Sequence, residues 1–302
     1  MNKLLLTGAT GFLGRNILTV LKESDFKIMT LGNPNTDIVC DISCEIPNFN
    51  CNFDYIIHAA GKAHIVPKSK SEKEEFYKVN VKGTKNLIAG FEKSNFLPKY
   101  FIFISSVSVY GLETGKNINE EHSLLAKDAY GLSKIDAENL IKEWCGKNNV
   151  ICTILRLPLL VGKNAPGNLG SMVKAIEKGY YFNIGGGKAR KTMVLAKDVA
   201  AFIPKVAVVG GTYNLTDGVD PSFSELSNVI SKQKKNKTPL NLPLFVARTM
   251  GLVGDLLGDK SPINSLKLKK ITSDLTFDDS KARTLLGWNP QSVIDYLKNN
   301  DI

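Results

Sequence analysis

Short apolar runs recur through the first half of this chain, and segments of helical composition separate them. Lys3 to Leu6, Phe26 to Leu31, Tyr55 to Ala60, Tyr100 to Ser105 and Val150 to Leu157 are rich in β-branched and aromatic residues, as strands buried in a sheet are. Phe12 to Lys22, Ser71 to Glu92 and Asp128 to Lys147 read as helices, and a short strand precedes Asp41. This βαβ alternation from residue 1 to about 157 predicts an α/β fold with a doubly wound parallel sheet. After Val161 the pattern changes. Gly162 to Gly170 reads as loop, Asn168 to Lys178 as helix, Gly185 to Gly187 as a flexible turn and Tyr213 to Thr216 as a short strand. Ser222 with Glu225 forms a capping box that opens a helix running to Lys232. Leu242 to Leu257 is apolar but carries Arg248, Asp255 and several glycines. A helix on a membrane face or over the site competes there with a core helix, and the core helix is the reading taken.

Chemistry enters where the central strand ends. In an open parallel sheet ligands sit beyond the carboxyl ends of the strands, so Ser106 faces a candidate site. Tyr130 and Lys134 lie four apart in a helical segment and share a face. A free phenol has a pKa of about 10 and is a poor base near neutral pH. A neighbouring ammonium favours the phenolate, and a positive nicotinamide ring favours it further. Such a phenol exchanges a proton with a substrate hydroxyl or carbonyl, while a serine hydroxyl orients the same oxygen.

Between the first strand and the first helix lies TGATGFLG, with Gly8, Gly11 and Gly14. Glycines so placed let the backbone turn tightly and approach a pyrophosphate at the helix N-terminus. An acidic residue at the end of the second strand would grip the adenosine ribose of NAD, but Gly32 and Asn33 stand there. Arg15 follows the third glycine and is placed to meet a 2′-phosphate, so the cofactor reads as NADP(H) or NAD(H), leaning to NADP(H). Asp41 either accepts from the adenine amino group or is a turn aspartate. His58-Ala59-Ala60-Gly61 ends the Tyr55 strand with small residues that admit the cofactor to the backbone, and His58 itself reads as a packed histidine. No metal ligands accompany His64 or His122, and no metal site is expected.

Composition sets limits. The 302 residues suffice for one or two domains, with 43% hydrophobic and 23% charged residues, ordinary for a soluble protein. No apolar run approaches the roughly 20 residues of a membrane span. Five cysteines at irregular spacing argue against a disulfide framework and point to the cytoplasm. The net charge of +10 is scattered, and its densest run, Lys232, Lys234, Lys235 and Lys237, has no interleaved aromatics. That argues against nucleic acid, and a solvated surface is the reading taken; the charge would also favour anionic small molecules such as nucleotides, or an acidic membrane face, and composition does not choose among these.

The combination TGATGFLG, Asp41-Ile42, HAAG, VNVKGT, ISSVSVYG, YGLSK, LRLPLLVG, GNL at 167–169, RKTMV and LLGWNP resembles the extended short-chain dehydrogenase/reductase family, in its sugar-nucleotide epimerase, dehydratase and reductase group. The resemblance covers nearly the whole chain. It implies a Rossmann domain at 1–160, with a return segment at about 189–216. A smaller mixed domain for a nucleotide sugar would comprise 161–188 and 217–302. It casts Ser106, Tyr130 and Lys134 as the catalytic triad. The implied cofactor contacts are Gly8, Gly11, Phe12, Leu13, Gly14, Arg15, Asn33, Asp41, Ile42, Ala59, Ala60, Gly61, Asn80, Ser105, Tyr130, Lys134 and Pro158, with Lys134 holding the nicotinamide ribose and lowering the Tyr130 pKa. Ser106, Ser108, Asn168, Arg190 and Lys191 are the implied substrate contacts, a guanidinium suiting two phosphate oxygens. Dehydratases of the group carry an acidic pair after the site serine, where this chain has Val107 and Ser108, so dehydration is not expected. The leading expectation is a 4-keto reductase of a UDP- or dTDP-hexose in surface polysaccharide precursor synthesis. A 4-epimerase with tightly held NAD is the alternative. A non-catalytic dinucleotide sensor ranks below both, because the tyrosine and the lysine are both present. The family's two-fold dimers imply a homodimer.

Overall fold

The computed structural model describes residues 1–63, 65–257, 264–300 and 302; His64 lies outside them. In chain order the first half comprises β1 (Asn2–Thr7), α1 (Phe12–Leu21), β2 (Phe26–Gly32), β3 (Ile38–Val39), β4 (Tyr55–His58), α2 (Lys70–Phe76), α3 (Gly83–Ser94), β5 (Tyr100–Ser106), β6 (Gly115–Ile118), α4 (Ala129–Asn148) and β7 (Ile151–Leu157). The second half comprises β8 (Leu159–Val161), α5 (Gly167–Glu177), β9 (Phe182–Ile184), β10 (Met193–Leu195), α6 (Ala196–Ala207), β11 (Gly211–Asn214), α7 (Phe223–Gln233), β12 (Leu240–Leu242), α8 (Leu244–Leu257), α9 (Ser265–Thr272), β13 (Leu275–Phe277), α10 (Ser280–Leu286) and α11 (Val293–Asn299).

Seven strands form one parallel sheet in the order β11-β7-β5-β4-β1-β2-β3, the doubly wound α/β architecture. Its central strands are apolar along their length because helices cover both faces. One core packs α1 and α6 against the sheet and takes in Ala282, Leu286 and Trp288 from the end of the chain. The other packs α3 and α4 around Phe53, Phe91, Phe101 and Trp144. A third, smaller core joins α5, α7 and α11 through Leu169, Leu226, Ile230, Val293 and Leu297. The stretch from Ala282 to Leu297 therefore serves two cores, with Trp288 anchored by an indole N–H donated to the Thr216 carbonyl at 2.8 Å.

Register decides where chemistry gathers. Thr7 pairs with His58, His58 with Phe103, and Ser105 and Ser106 with Arg156 and Leu157. The strands thus end together, and their tips form one rim. Against that rim, the expected helix over residues 71–92 is continuous but not uniform. Tyr77–Lys82 widens into a π-helical turn between α2 and α3, which turns Asn80 inward until it is almost wholly buried.

The core-helix reading of residues 242–257 is corrected. α8 forms, yet among its described side chains only the small residues Ala247, Gly251 and Gly254 are buried, while Phe245, Leu252 and Leu256 stand 71%, 62% and 88% exposed. Apolar composition reported a helix with one face against the protein; it could not report that the packed face is the small-residue one. Among the described residues no helix is long and apolar enough to cross a membrane.

Candidate active site

A cleft of about 410 Å³ opens along the rim of the sheet. Its floor is the glycine turn and the start of α1: Gly8, Gly11, Phe12, Leu13 and Gly14. One wall carries Ala59 and Gly61 from the β4 exit; the far end carries Ser106, Ser108, Tyr130 and Lys134, facing Pro158.

The floor is shaped for close backbone approach. Gly8 sits at φ +73°, and a Cβ there would lie 2.6 Å from the Ala60 nitrogen. A Cβ on Gly14 would lie 2.1 Å from the Gly8 carbonyl oxygen. α1 begins at Gly11 with no side-chain cap and no acidic residue in its first turn, leaving its leading N–H groups and positive end open to an anion. These features fit a dinucleotide pyrophosphate. Arg15 is exposed beside them, its guanidinium donating to the Thr10 carbonyl. Asn33, at the end of β2, is exposed and neutral. The next acid along, Asp37, is held on Thr30, whose amide and hydroxyl donate to it at 2.8 and 2.7 Å.

Behind the floor runs a directed hydrogen-bond chain. Thr84 donates its hydroxyl to the Asn80 carbonyl (2.6 Å), so it must accept from His58 Nε2–H (2.9 Å). His58 Nδ1 then accepts from Thr7 (2.7 Å), whose oxygen accepts from the Ala60 amide (3.1 Å). The chain joins β1, the β4 exit and the π-turn, and it fixes His58 as the neutral Nε2–H tautomer. The packed-histidine reading agrees with this geometry. Burial, with the Lys134 charge adding to it, drives the His58 pKa from 6.5 down to about 3. The unfolded chain therefore binds a proton below pH 6.5 that the native protein refuses, and stability falls by about 1.4 kcal/mol per pH unit there. A His58→Gln variant lacks this titration. Its stability deficit against wild type, from urea unfolding, should narrow by about 2 kcal/mol between pH 7 and pH 5.

At the reactive end Ser106, last in β5, donates to Ser108 Oγ and accepts from the Ser108 amide, both at 3.1 Å. Tyr130 and Lys134 come from the first turns of α4, which Asp128 caps by accepting from the Gly131 amide at 3.0 Å. Lys134 is buried; its ammonium donates to the Ile104 carbonyl at 2.9 Å and lies 4.6 Å from the Phe103 ring centre. Burial lowers its pKa to about 8. The expectation that Lys134 pulls the Tyr130 pKa down is corrected for the ligand-free protein. Burial raises the phenol pKa, with the Ser106 hydroxyl pulling the other way. The phenol thus rests protonated at neutral pH.

Other expected residues act at one remove. The Asn80 amide is spent on the Lys62 backbone (2.7 and 3.2 Å) and on Ser133 (2.9 Å), so it holds the loop after Gly61 and does not line the cleft. Ala60 serves through the bond from its amide to Thr7. Ser105 borders the cleft, but its hydroxyl is committed to Glu138 at 2.6 Å. Asp41 accepts from the Ser43 amide at 3.0 Å, the turn-aspartate alternative, and Ile42 packs beside Gly83. Asn168 is exposed in the first turn of α5. Arg190 donates to the Asp220 carbonyl at 2.8 Å and approaches Glu225 at 3.6 Å, which pins it to the start of α7. Lys191 is half-buried, and burial lowers its pKa. None of these last three borders the cleft.

One buried cluster had not been read from the sequence. Glu138, eight residues after Tyr130 and fully buried, receives Ser105 Oγ and the Arg156 Nε and Nη2 groups at 2.6, 3.1 and 2.8 Å. Arg156 also donates to Tyr110 OH (3.2 Å), which donates to Asn214 Oδ1 (2.7 Å). The spacing Tyr130, Lys134, Glu138 was the available signal: one helix face carrying three polar groups inward. Among the described residues no cluster of metal-ligating side chains occurs.

A profile of the NAD dependent epimerase/dehydratase family matches residues 4–215. An Escherichia coli O157:H7 protein, N-acetyl-alpha-D-glucosaminyl-diphospho-ditrans,octacis-undecaprenol 4-epimerase, is 29% identical, the alignment covering 94% of this chain and 89% of that one. UDP-glucose 4-epimerase of Vibrio cholerae is 27% identical over 96% of this chain and 92% of its own. The structure of RMD from Pseudomonas aeruginosa complexed with NADPH superposes with a TM-score of 0.75 at 19% identity, covering 99% of this chain and 97% of that one.

Proposed function

Because this chain belongs to the NAD dependent epimerase/dehydratase family, we propose that it acts at carbon 4 of a diphosphate-linked hexose, as an NADPH-dependent reductase of the 4-ketone. The observation that carries this reading is the set Ser106, Tyr130 and Lys134 at the far end of a dinucleotide-shaped cleft, with Tyr130 resting as an acid. A dinucleotide held in this cleft would supply a hydride to the carbonyl carbon. Gly8, Gly11, Phe12, Leu13 and Gly14 would hold its phosphates, and Ala59, Gly61 and Pro158 would flank it. Reduction also needs a proton at the carbonyl oxygen. Ser106 turns its hydroxyl from Ser108 to the substrate oxygen, and Tyr130 delivers the proton. Lys134 would hold the nicotinamide ribose, and solvent returns the proton to Tyr130. The neutral Val107 and Ser108 offer no carboxylate for elimination, which supports reduction over dehydration. Neutral Asn33, and Arg15 exposed just after the glycine turn, support the 2′-phosphorylated coenzyme. Asn168, Arg190 and Lys191 are assigned to the substrate diphosphate, Arg190 swinging from Asp220 to reach it.

A second reading, the 4-epimerase, is favoured by the names of the Escherichia coli and Vibrio relatives. One experiment separates the two. Purified protein is denatured and any released dinucleotide identified. A 4-keto-6-deoxyhexose nucleotide is then added to intact protein with NADPH or NADH while absorbance of the reduced nicotinamide is followed. Empty protein and steady NADPH loss, faster than with NADH, are expected. Tightly bound NAD with no net oxidation would overturn the reductase in favour of the epimerase.

A further inference from the structure

α8 turns its bulk outward. Phe245, Leu252 and Leu256, at positions i, i+7 and i+11, form one ridge, and Val253 (57% exposed) widens it. The opposite face is Ala247, Gly251 and Gly254, small enough for α9 to pack closely, Gly251 lying beside Ser265 and Leu268. The normal amphipathic order is thus inverted: large apolar groups face solvent. A groove of about 360 Å³ between α8 and α9 continues the patch.

Charge tells what covers it. Arg248 on α8 and Lys269 on α9 border the groove and are exposed. Lys270 is half-exposed and paired with Glu113 at 2.7 Å. The acid on this face of α8, Asp255, is tied to the Ser265 amide and hydroxyl at 3.0 and 2.5 Å. The approach to β12 and α8 brings exposed Lys235 and Lys237, on a chain of net charge +10. An apolar ridge between basic flanks matches the interface of an anionic bilayer, with side chains among the acyl chains and cations at headgroup level. A second copy of the chain fits less well, since a two-fold contact through the ridge would set basic flank against basic flank.

We propose that α8 and α9 form a peripheral membrane-docking surface that seats the protein on anionic phospholipid. This does not depend on the reaction assigned above. The test is co-sedimentation of the full chain with large vesicles of phosphatidylcholine alone or with 30% phosphatidylglycerol, at about 0.1 and 0.5 M NaCl. Binding to the anionic vesicles should be about tenfold tighter than to the neutral ones and should weaken at high salt. Leu252→Glu with Leu256→Glu should reduce the bound fraction at least about tenfold without changing the melting temperature. Leu285→Glu, at an exposed leucine on α10, should bind as wild type. Absence of wild-type pelleting at millimolar lipid, or equal pelleting of the ridge variant, overturns the proposal. So does a concentration-dependent dimer in sedimentation velocity that the ridge variant abolishes while vesicles capture neither protein.

Discussion

Tyr130→Phe should lower kcat by about 10²- to 10⁴-fold, the range a positioned proton donor contributes, while the dissociation constant for the dinucleotide stays within about twofold. The substitution removes one oxygen and keeps the ring, which packs 6.0 Å from Phe76. The glycine floor and Ala59, assigned to the cofactor, are untouched. Binding by fluorescence titration and turnover by loss of reduced nicotinamide check the two halves separately. A non-catalytic sensor would lose nothing. The pH profile adds a second signature. Lys134 with a pKa of about 8 is charged at neutral pH and loses its charge above that value. The phenol, raised by burial, keeps its proton over the same range. Reduction by the wild type should therefore be level below pH 7 and fall above pH 8, as the Lys134 ammonium assigned to the cofactor ribose loses its charge.

What could be read in the sequence was what is local. Gly8, Gly11 and Gly14 lie within seven residues of one another, and Tyr130 and Lys134 within one helical turn, so spacing alone places them. Ser106 needed only the end of an apolar run. The strand and helix alternation gave the parallel sheet for the same reason. Missing were matters that depend on register and depth. Ser105 meets Arg156 only because β5 and β7 pair in that register, and Glu138 joins them only because α4 crosses behind both. The Tyr130 pKa followed burial where the sequence showed a neighbouring charge, and the Lys134 ammonium went to the Ile104 carbonyl. Asn80 is exchanged from contact to support by a π-turn that residue composition does not announce. For α8 the apolar count was right and the orientation was not, since small residues can bury a helix as well as large ones.

The Glu138 cluster yields the largest expected loss of stability. Glu138→Ala removes the acceptor of three hydrogen bonds and leaves the Arg156 guanidinium, only 3% exposed, with its charge unopposed. Burial disfavours that charge, and Glu138 together with Tyr110 offsets burial and holds the Arg156 pKa above its usual value. Breaking one partner of such a pair costs about 3–5 kcal/mol. Chemical denaturation should show that loss, with β5 and β7 loosened at the point where Ser106 is aimed. Deleting the whole charged set tells a different story. Ser105→Ala, Glu138→Leu and Arg156→Met together leave no buried charge orphaned, since Lys142, the other cation on Glu138 at 3.7 Å, is 43% exposed, and the Tyr110 hydroxyl keeps its bond to Asn214. Because desolvation nearly cancels attraction in a buried pair, the triple variant should recover to within about 2 kcal/mol of wild type. If the cluster also aims Ser106, the triple variant will fold and still turn over slowly, since an apolar contact does not fix the end of β5 as Glu138 does. Stability restored with kcat still depressed would assign the cluster to positioning, and restoration of both would leave it a role in packing alone.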